Sequence, residues 1–179
     1  GSEMCIRDRE YFIDREHMLL YFYAPSDVKE KTITLSTLEQ NMFHVVGASN
    51  IKIEGLILEF GRGNAIFINS PKLDGEISIK SDNILVENCI IRNFNQWGVI
   101  IQNAQNSTVN NCHIYNLGAG GVKLGNETKS FNLLNENNLV SNCEIYDIAF
   151  DQKSQVPAIT LAGNGNSCLL YTSPSPRDL

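Results

Sequence analysis

Ionisable side chains gather in one late stretch of this chain: His113, Tyr115, Lys123, Glu127, Glu144, Tyr146, Asp147 and Asp151. Two carboxylates set close together can divide acid and base work, because the charge on one raises the proton affinity of the other. Asp147 with Glu127 is the leading catalytic pair, and Asp147 with Asp151 is a second choice. Lys123 is a candidate base if its surroundings favour the neutral amine. His113, Tyr115, Tyr146 and Asp151 offer binding groups beside them. Each residue also has a plain structural reading. Glu144 and His113 fit solvated strand positions, Asp147 fits a turn, and Lys123 fits a surface pair with Glu127, an interaction of small worth. The cysteines include no ligand pair at zinc spacing, so no metal site is expected.

Such residues work only if something holds them in register, and the chain supplies a repeat. Asn88-Cys89-Ile90-Ile91 returns as Asn111-Cys112-His113-Ile114 and as Asn142-Cys143-Glu144-Ile145. A degenerate copy, Gly55-Leu56-Ile57-Leu58, lies upstream with Leu in the Cys slot. Cys89 and Cys112 are 23 residues apart, and so are Gly98 and Gly121. Fixed self-similarity with β-type strands predicts a solenoid of stacked coils about 4.8 Å apart. The fold expected is all-β: a right-handed parallel β-helix of about four coils, preceded by a small antiparallel β element. Asn suits a bend that needs left-handed backbone, and it can hydrogen-bond to its copies along a ladder. Cys89, Cys112 and Cys143 then share an inward slot as a stack of free thiols, since parallel side-chain vectors disfavour a disulfide.

Register also assigns the outward columns. The first strand presents Ile57, Ile90, His113 and Glu144, and the following turn presents Glu59, Arg92, Tyr115 and Tyr146. Next come Phe60, Asn93, Asn116 and Asp147, and the second strand presents Phe67, Ile100, Lys123 and Thr160. The ionisable residues therefore fall on the last two coils. Insertions flank them at 125–137 and 150–157, and decorated coils are where solenoids place binding surfaces.

Along the chain, 10–49 reads as the N-terminal β element (Tyr11 to Tyr23) and lead-in strands, among them Thr32 to Leu35 and Phe43 to Val46. The β-helix runs from 50 to 167, with a loop or hairpin protruding at Ser70 to Ser81. The two ends fall outside the pattern. Met4-Cys5-Ile6-Arg7-Asp8 matches the translation of a sequencing-adapter tag, and Cys168-Leu169-Leu170-Tyr171-Thr172-Ser173 matches its reverse complement. Residues 1–9 and 168–179 are accordingly read as adapter artefacts to be left out of fold reasoning. The remainder reads as a fragment, cut open at both ends.

Net charge is −6 with or without those ends, and Lys and Arg do not cluster. That balance argues against a nucleic-acid partner. No apolar run reaches the length of a membrane span.

The chain resembles bacterial right-handed β-helix repeat proteins of the pectate-lyase-like superfamily, in the group related to glycoside hydrolases. The residues that carry the likeness are Tyr11 to Tyr23, Gly47-Ala48-Ser49-Asn50 through Gly55-Leu56, Ile91 through Trp97-Gly98-Val99, and Cys112 through Gly120-Gly121-Val122. Where relatives read Leu-Ser-Gly-Gly-Asp-Arg, this chain reads Leu124-Gly125-Asn126-Glu127-Thr128-Lys129, with the acid moved to Glu127 and the Arg absent. The resemblance implies an exported protein, extracellular or periplasmic, acting on polysaccharide or oligosaccharide. Glycoside hydrolysis is the leading activity. Non-catalytic glycan binding or adhesion is the alternative, and a polysaccharide lyase the second. No cofactor is implied, except calcium in the lyase case.

Overall fold

The structure, a computed structural model, describes residues 11–24, 32–73, 76–77, 79–125, 135–151, 156–169 and 172. It divides into two units, Gly1–Leu35 and Ser36–Leu179. The first unit holds the expected antiparallel hairpin, β1 (Tyr11–Asp14) and β2 (Leu19–Phe22), with Tyr11 opposite Phe22. The Asp14 carboxylate closes its turn by accepting the amides of Glu16 and His17 at 3.0 Å. The His17 amide is the main cause of that carboxyl's lowered pKa. Thr32 to Leu35, expected as a strand, is irregular.

The second unit begins with β3 (Phe43–Val46), β4 (Ser49–Glu54), β5 (Ile57–Gly61) and β6 (Ile66–Asn69). The expected protrusion follows as an antiparallel pair, β7 (Lys72–Leu73) and β8 (Glu76–Ile77). Then come β9 (Ser81–Glu87), β10 (Ile90–Phe94), β11 (Val99–Gln102), β12 (Ala104–Gln105), β13 (Thr108–Asn110), β14 (His113–Leu117) and β15 (Val122–Leu124). The last are β16 (Leu139–Ser141), β17 (Glu144–Tyr146), β18 (Ile159–Leu161) and β19 (Ser167–Leu169).

These strands stack into three parallel sheets. Sheet S1 has six strands (β4, β9, β12, β13, β16, β19), S2 has four in the order β5-β10-β14-β17, and S3 has five in the order β3-β6-β11-β15-β18. Each circuit of the chain visits S1, S2 and S3 in turn, which is the path of a parallel β-helix. The predicted columns are the observed register: Ile90 pairs with Ile57 and His113, Tyr115 with Arg92 and Tyr146, and Lys123 with Ile100 and Thr160. Glu59, Arg92, Tyr115 and Tyr146 were expected in a turn but lie within the strands of S2. The ladder there runs on to the following residues, so the strands end later than the apolar pattern suggests.

Alternation sends one face of every strand inward. Ile66, Ile68, Ile91, Ile101, Ile114 and Ile145 are fully buried, and burial of each such side chain stabilises the fold by about 1.5–3 kcal/mol. The cysteine column is confirmed by the backbone: the amides of Ile90, His113 and Glu144 donate to the carbonyls of Leu56, Cys89 and Cys112 at 2.9 to 3.0 Å. Cys89, Cys112 and Cys143 are buried and free of disulfides. Each thiol donates to the carbonyl two residues earlier, at 3.2 to 3.3 Å. The Cys112 thiol is pushed well above its ordinary pKa, first by its side-chain interaction with Cys143 and then by burial. Leu56 departs from the inward expectation. It is 39% exposed, because β5 is the outermost strand of S2 and, among the described residues, no strand stacks beneath it there.

Three columns of left-handed residues make the bends. Gly55, Asn88, Asn111 and Asn142 turn the chain from S1 to S2 with φ of 68°, 55°, 50° and 52°. Asn50, Asn83, Asn106 and Asn137 do the same within and before S1. Phe60, Asn93, Asn116 and Asp147 close S2, with φ of 64°, 60°, 53° and 47°. The amide groups link rung to rung: Asn111 Nδ2 donates to Asn88 Oδ1 at 2.7 Å, and Asn83 Nδ2 to Asn50 Oδ1 at 2.7 Å.

After β18 the chain returns to S1 as β19, where Cys168 pairs with Val140, so the sheet runs beyond residue 167. Parallel pairing is made by backbone groups, so it says nothing about the origin of those side chains. No helix among the described residues is long and apolar enough to cross a membrane.

Candidate functional site

The structure distributes the ionisable cluster over two sheets. His113 and Glu144 are neighbours on the outer face of S2, with Nδ1 and Oε2 2.9 Å apart and both side chains about half exposed. Exposed pairs of this kind contribute roughly 0–1 kcal/mol. Beside them Tyr115 and Tyr146 stack with ring centroids 4.9 Å apart and planes 3° from parallel. Burial raises the Tyr146 phenol's pKa, helped by Tyr115, Glu144 and Asp147. Below, Arg92 donates from Nη1 to the Tyr115 hydroxyl at 3.0 Å and from Nε to Glu59 at 2.7 Å. The two rings face each other along the solenoid axis. A ligand crossing S2 therefore meets ring edges and polar groups, not two open π faces.

Lys123 belongs to S3. Its ammonium stands 5.7 Å from the centroid of the Trp97 ring, within cation–π range. Trp97 comes from the S2-to-S3 turn one coil earlier and lies on Gly120, where an added Cβ would come within 2.3 Å of the indole. The sequence reading used Trp97 only for family likeness. Its pairing with Lys123 becomes visible only when 97 and 120 are stacked.

Asp147 stands at the end of S2, exposed, in the column above Asn116. Its carbonyl accepts the amide of Leu117 at 3.0 Å. One rung lower, Asn116 Nδ2 donates to Asn93 Oδ1 at 2.5 Å. Asp147 carries no Nδ2, so the link from Nδ2 to Oδ1 of the rung below stops at Asn116. Asp147 thus takes the backbone role of the column without being able to supply its side-chain link. Asp151 is exposed in the same turn, and its amide donates to Gly118 O at 3.2 Å. Ala149 and Phe150 donate to Ala119 and Leu117, so 147–151 is pinned across the preceding coil. Glu127 lies outside the described residues.

Sequence reading missed Glu136, at the corner between S3 and S1. Its Oε2 accepts Asn166 Nδ2 at 2.7 Å, and the carboxyl lies where a Cβ on Gly163 would sit 3.1 Å away. Burial raises its pKa, and the Asn166 amide only partly offsets this. Asn166 is in turn built into the interior. Its Oδ1 accepts the amide of Asn138, whose own Oδ1 accepts the amide of Ser107, both at 3.0 Å. Ser107 and Asn138 are fully buried. The available signal was their position, one residue past the left-handed Asn106 and Asn137.

Among the described residues no group of three His, Cys, Asp or Glu side chains is placed to hold a metal ion.

A family model described as right handed beta helix region matches residues 21–173. The chain belongs to that right-handed β-helix family. No curated protein and no solved structure matches it. As a right-handed β-helix, it presents the S2 and S3 outer faces as two strips of a solenoid wall, joined by the turn that carries Asp147 and Asp151.

Proposed function

We propose that this β-helix is an exported member of the pectate-lyase-like superfamily that acts on polysaccharide, cleaving glycosidic bonds by hydrolysis. The observation that carries this reading is the acid at Asp147. The two rungs beneath it, Asn116 and Asn93, are amides linked to one another, and an acid there does not extend that link. Acids retained against local structural preference are candidates for chemistry. Glu127 or Asp151 serves as its partner, and Lys123, His113, Tyr115 and Tyr146 bind sugar hydroxyls. Retaining cleavage needs the carboxyls about 5–5.5 Å apart, and inverting cleavage about 6.5–9.5 Å.

The test is Asp147→Asn, assayed on a panel of neutral and acidic polysaccharides for new reducing ends. Loss of a general acid or base costs roughly 10²–10⁴-fold in rate, and a loss in that range is expected. The same change restores an amide to the column, so the variant should unfold at higher urea by about 0.5–1.5 kcal/mol. Unchanged turnover would remove Asp147 from the chemistry.

A non-catalytic glycan binder is the second reading, favoured by the polar rim of Arg92, Tyr115 and Tyr146 on S2. It predicts glycan binding with no turnover by the parent protein. A lyase would use Lys123 as base, with calcium as its cation. We further propose that residues 1–9 and 168–179 derive from adapter DNA. Reading the source gene across both junctions tests that.

A further inference from the structure

Asparagine is abundant here, and the structure commits most of it. The ladder residues hold left-handed backbone, and their side-chain amides donate to the preceding coil, as at Asn83, Asn106, Asn111 and Asn116. Asn138 and Asn166 spend theirs on the interior corner. Asn164 is different. It is exposed, it belongs to none of these columns, and glycine follows it. Its backbone is paired with Asn135, and its carbonyl accepts the Glu136 amide at 2.9 Å. Gly165 is exposed with φ of +76° and has no Cβ to keep its nitrogen from the preceding side chain.

We propose that Asn164–Gly165 is a self-modification site at which the protein deamidates. The Gly165 backbone nitrogen attacks Cγ of Asn164, forming the ring C–N bond. The Cγ–Nδ2 bond breaks, and the Gly165 amide proton leaves with Nδ2 as ammonia. Water then opens the succinimide at either carbonyl, giving aspartate or isoaspartate, with no change of oxidation state. Either product adds a carboxylate. Isoaspartate also routes the backbone through the side chain, adding one carbon to the link between Asn164 and Asn166.

That link matters because Asn166 is the hub of the corner. It donates to Glu136 and to Ala162 O, accepts from Asn138, and immediately precedes β19. Lengthening the chain just before it displaces those bonds together. The expected consequence is a local loosening of β19, whose first amide, Ser167, donates to Asn138 O at 2.9 Å. The coils below stay stacked, since each contacts only its neighbours.

The experiment ages the full chain in mildly alkaline buffer, native and in urea, followed by peptide mass mapping and hydrogen exchange. The expected result is a gain of about 1 Da confined in the native protein to the peptide holding Asn164. Amide protection at Ser167–Leu169 should fall in the same samples. Asn164→Gln, which leaves the ladder untouched, should show neither change. A mass gain in urea but none in the native protein would overturn the proposal, since the fold would then protect this position. An equal gain at the ladder asparagines in the native protein would overturn it too. If the mass changes while protection at β19 holds, the site stands and the loosening is refuted.

Discussion

Single residues in this solenoid are constrained by backbone conformation before contact. Asn111 holds φ of 50° and donates to Asn88 at 2.7 Å. Left-handed backbone costs most L-residues about 1–2 kcal/mol, and a net hydrogen bond contributes roughly 0.5–1.5 kcal/mol. Asn111→Ala should therefore lose about 2–3 kcal/mol in urea unfolding. Asn111→Gly should lose only the hydrogen-bond part, because glycine accepts the conformation, as Gly55 already does at its rung. Equal losses for the two would show that conformation is not what selects Asn here. Charge acts differently. Glu87 accepts Asn110 Nδ2 at 2.9 Å and lies 3.2 Å from the Lys52 ammonium. Its carboxyl is held below its ordinary pKa by Asn110 first and Lys52 second. A lowered carboxyl pKa stabilises the fold above the unfolded value, and that gain disappears as pH falls through the folded value. The urea midpoint of Glu87→Gln should accordingly lie below the parent's at neutral pH, and the gap should close in acid. A gap independent of pH would point to packing instead of charge.

At the scale of the coil, space between elements decides. Gly118 has no room: a Cβ there would sit 2.2 Å from the carbonyl oxygen of Asn95 on the coil below. Backbone cannot swing away as a side chain can. Gly55 has nothing within 4 Å but holds φ of +68°. Gly55→Ala should thus cost the conformational term alone, about 1–2 kcal/mol. Gly118→Ala should cost about 1–3 kcal/mol of overpacking or more, with the S2-to-S3 turn displaced. Amide chemical shifts of residues 94–98 would show that displacement, and a silent spectrum would contradict it. The same scale explains what was legible in the sequence. Strand register followed from alternation and the 23-residue interval between Cys89 and Cys112, so pairs such as His113–Glu144 and Lys123–Thr160 were readable in advance. Glu136, Ser107, Asn138 and Asn166 were not. Glu136, Asn138 and Asn166 follow stretches where insertions change the coil length, so alignment by spacing fails there, and the role of Ser107 depends on its bond to Asn138. Trp97 over Lys123 was hidden for a related reason: one stands in a turn and the other in a strand of the following coil.

For the whole molecule, contacts are local along the axis. Ile114 is fully buried between coils on both sides, whereas Leu161 in the last strand of S3 is 46% exposed. Ile114→Ala should lose about 2–5 kcal/mol, as buried aliphatic truncations do. Leu161→Ala should lose much less. Hydrogen exchange would separate the two further, because the first should deprotect strands above and below it and the second only its own rung. Equal effects would mean that the stack unfolds as one unit with no nearest-neighbour character.

The side-chain ladders also have a sense of direction. At Asn83, Asn111 and Asn116 the later coil gives the proton and the earlier coil receives it. Backbone bonds at the cysteine column run the same way, from Ile90, His113 and Glu144 back to Leu56, Cys89 and Cys112. One residue earlier the backbone runs the other way: the amides of Gly55, Asn88 and Asn111 donate forward to the carbonyls of Glu87, Asn110 and Ser141. A finished coil therefore offers both backbone donors and backbone acceptors to the segment that the ribosome makes next. The asparagine ladder alone is one-way. Its newest rung holds an open side-chain oxygen, and the amide that fills it arrives with the following coil.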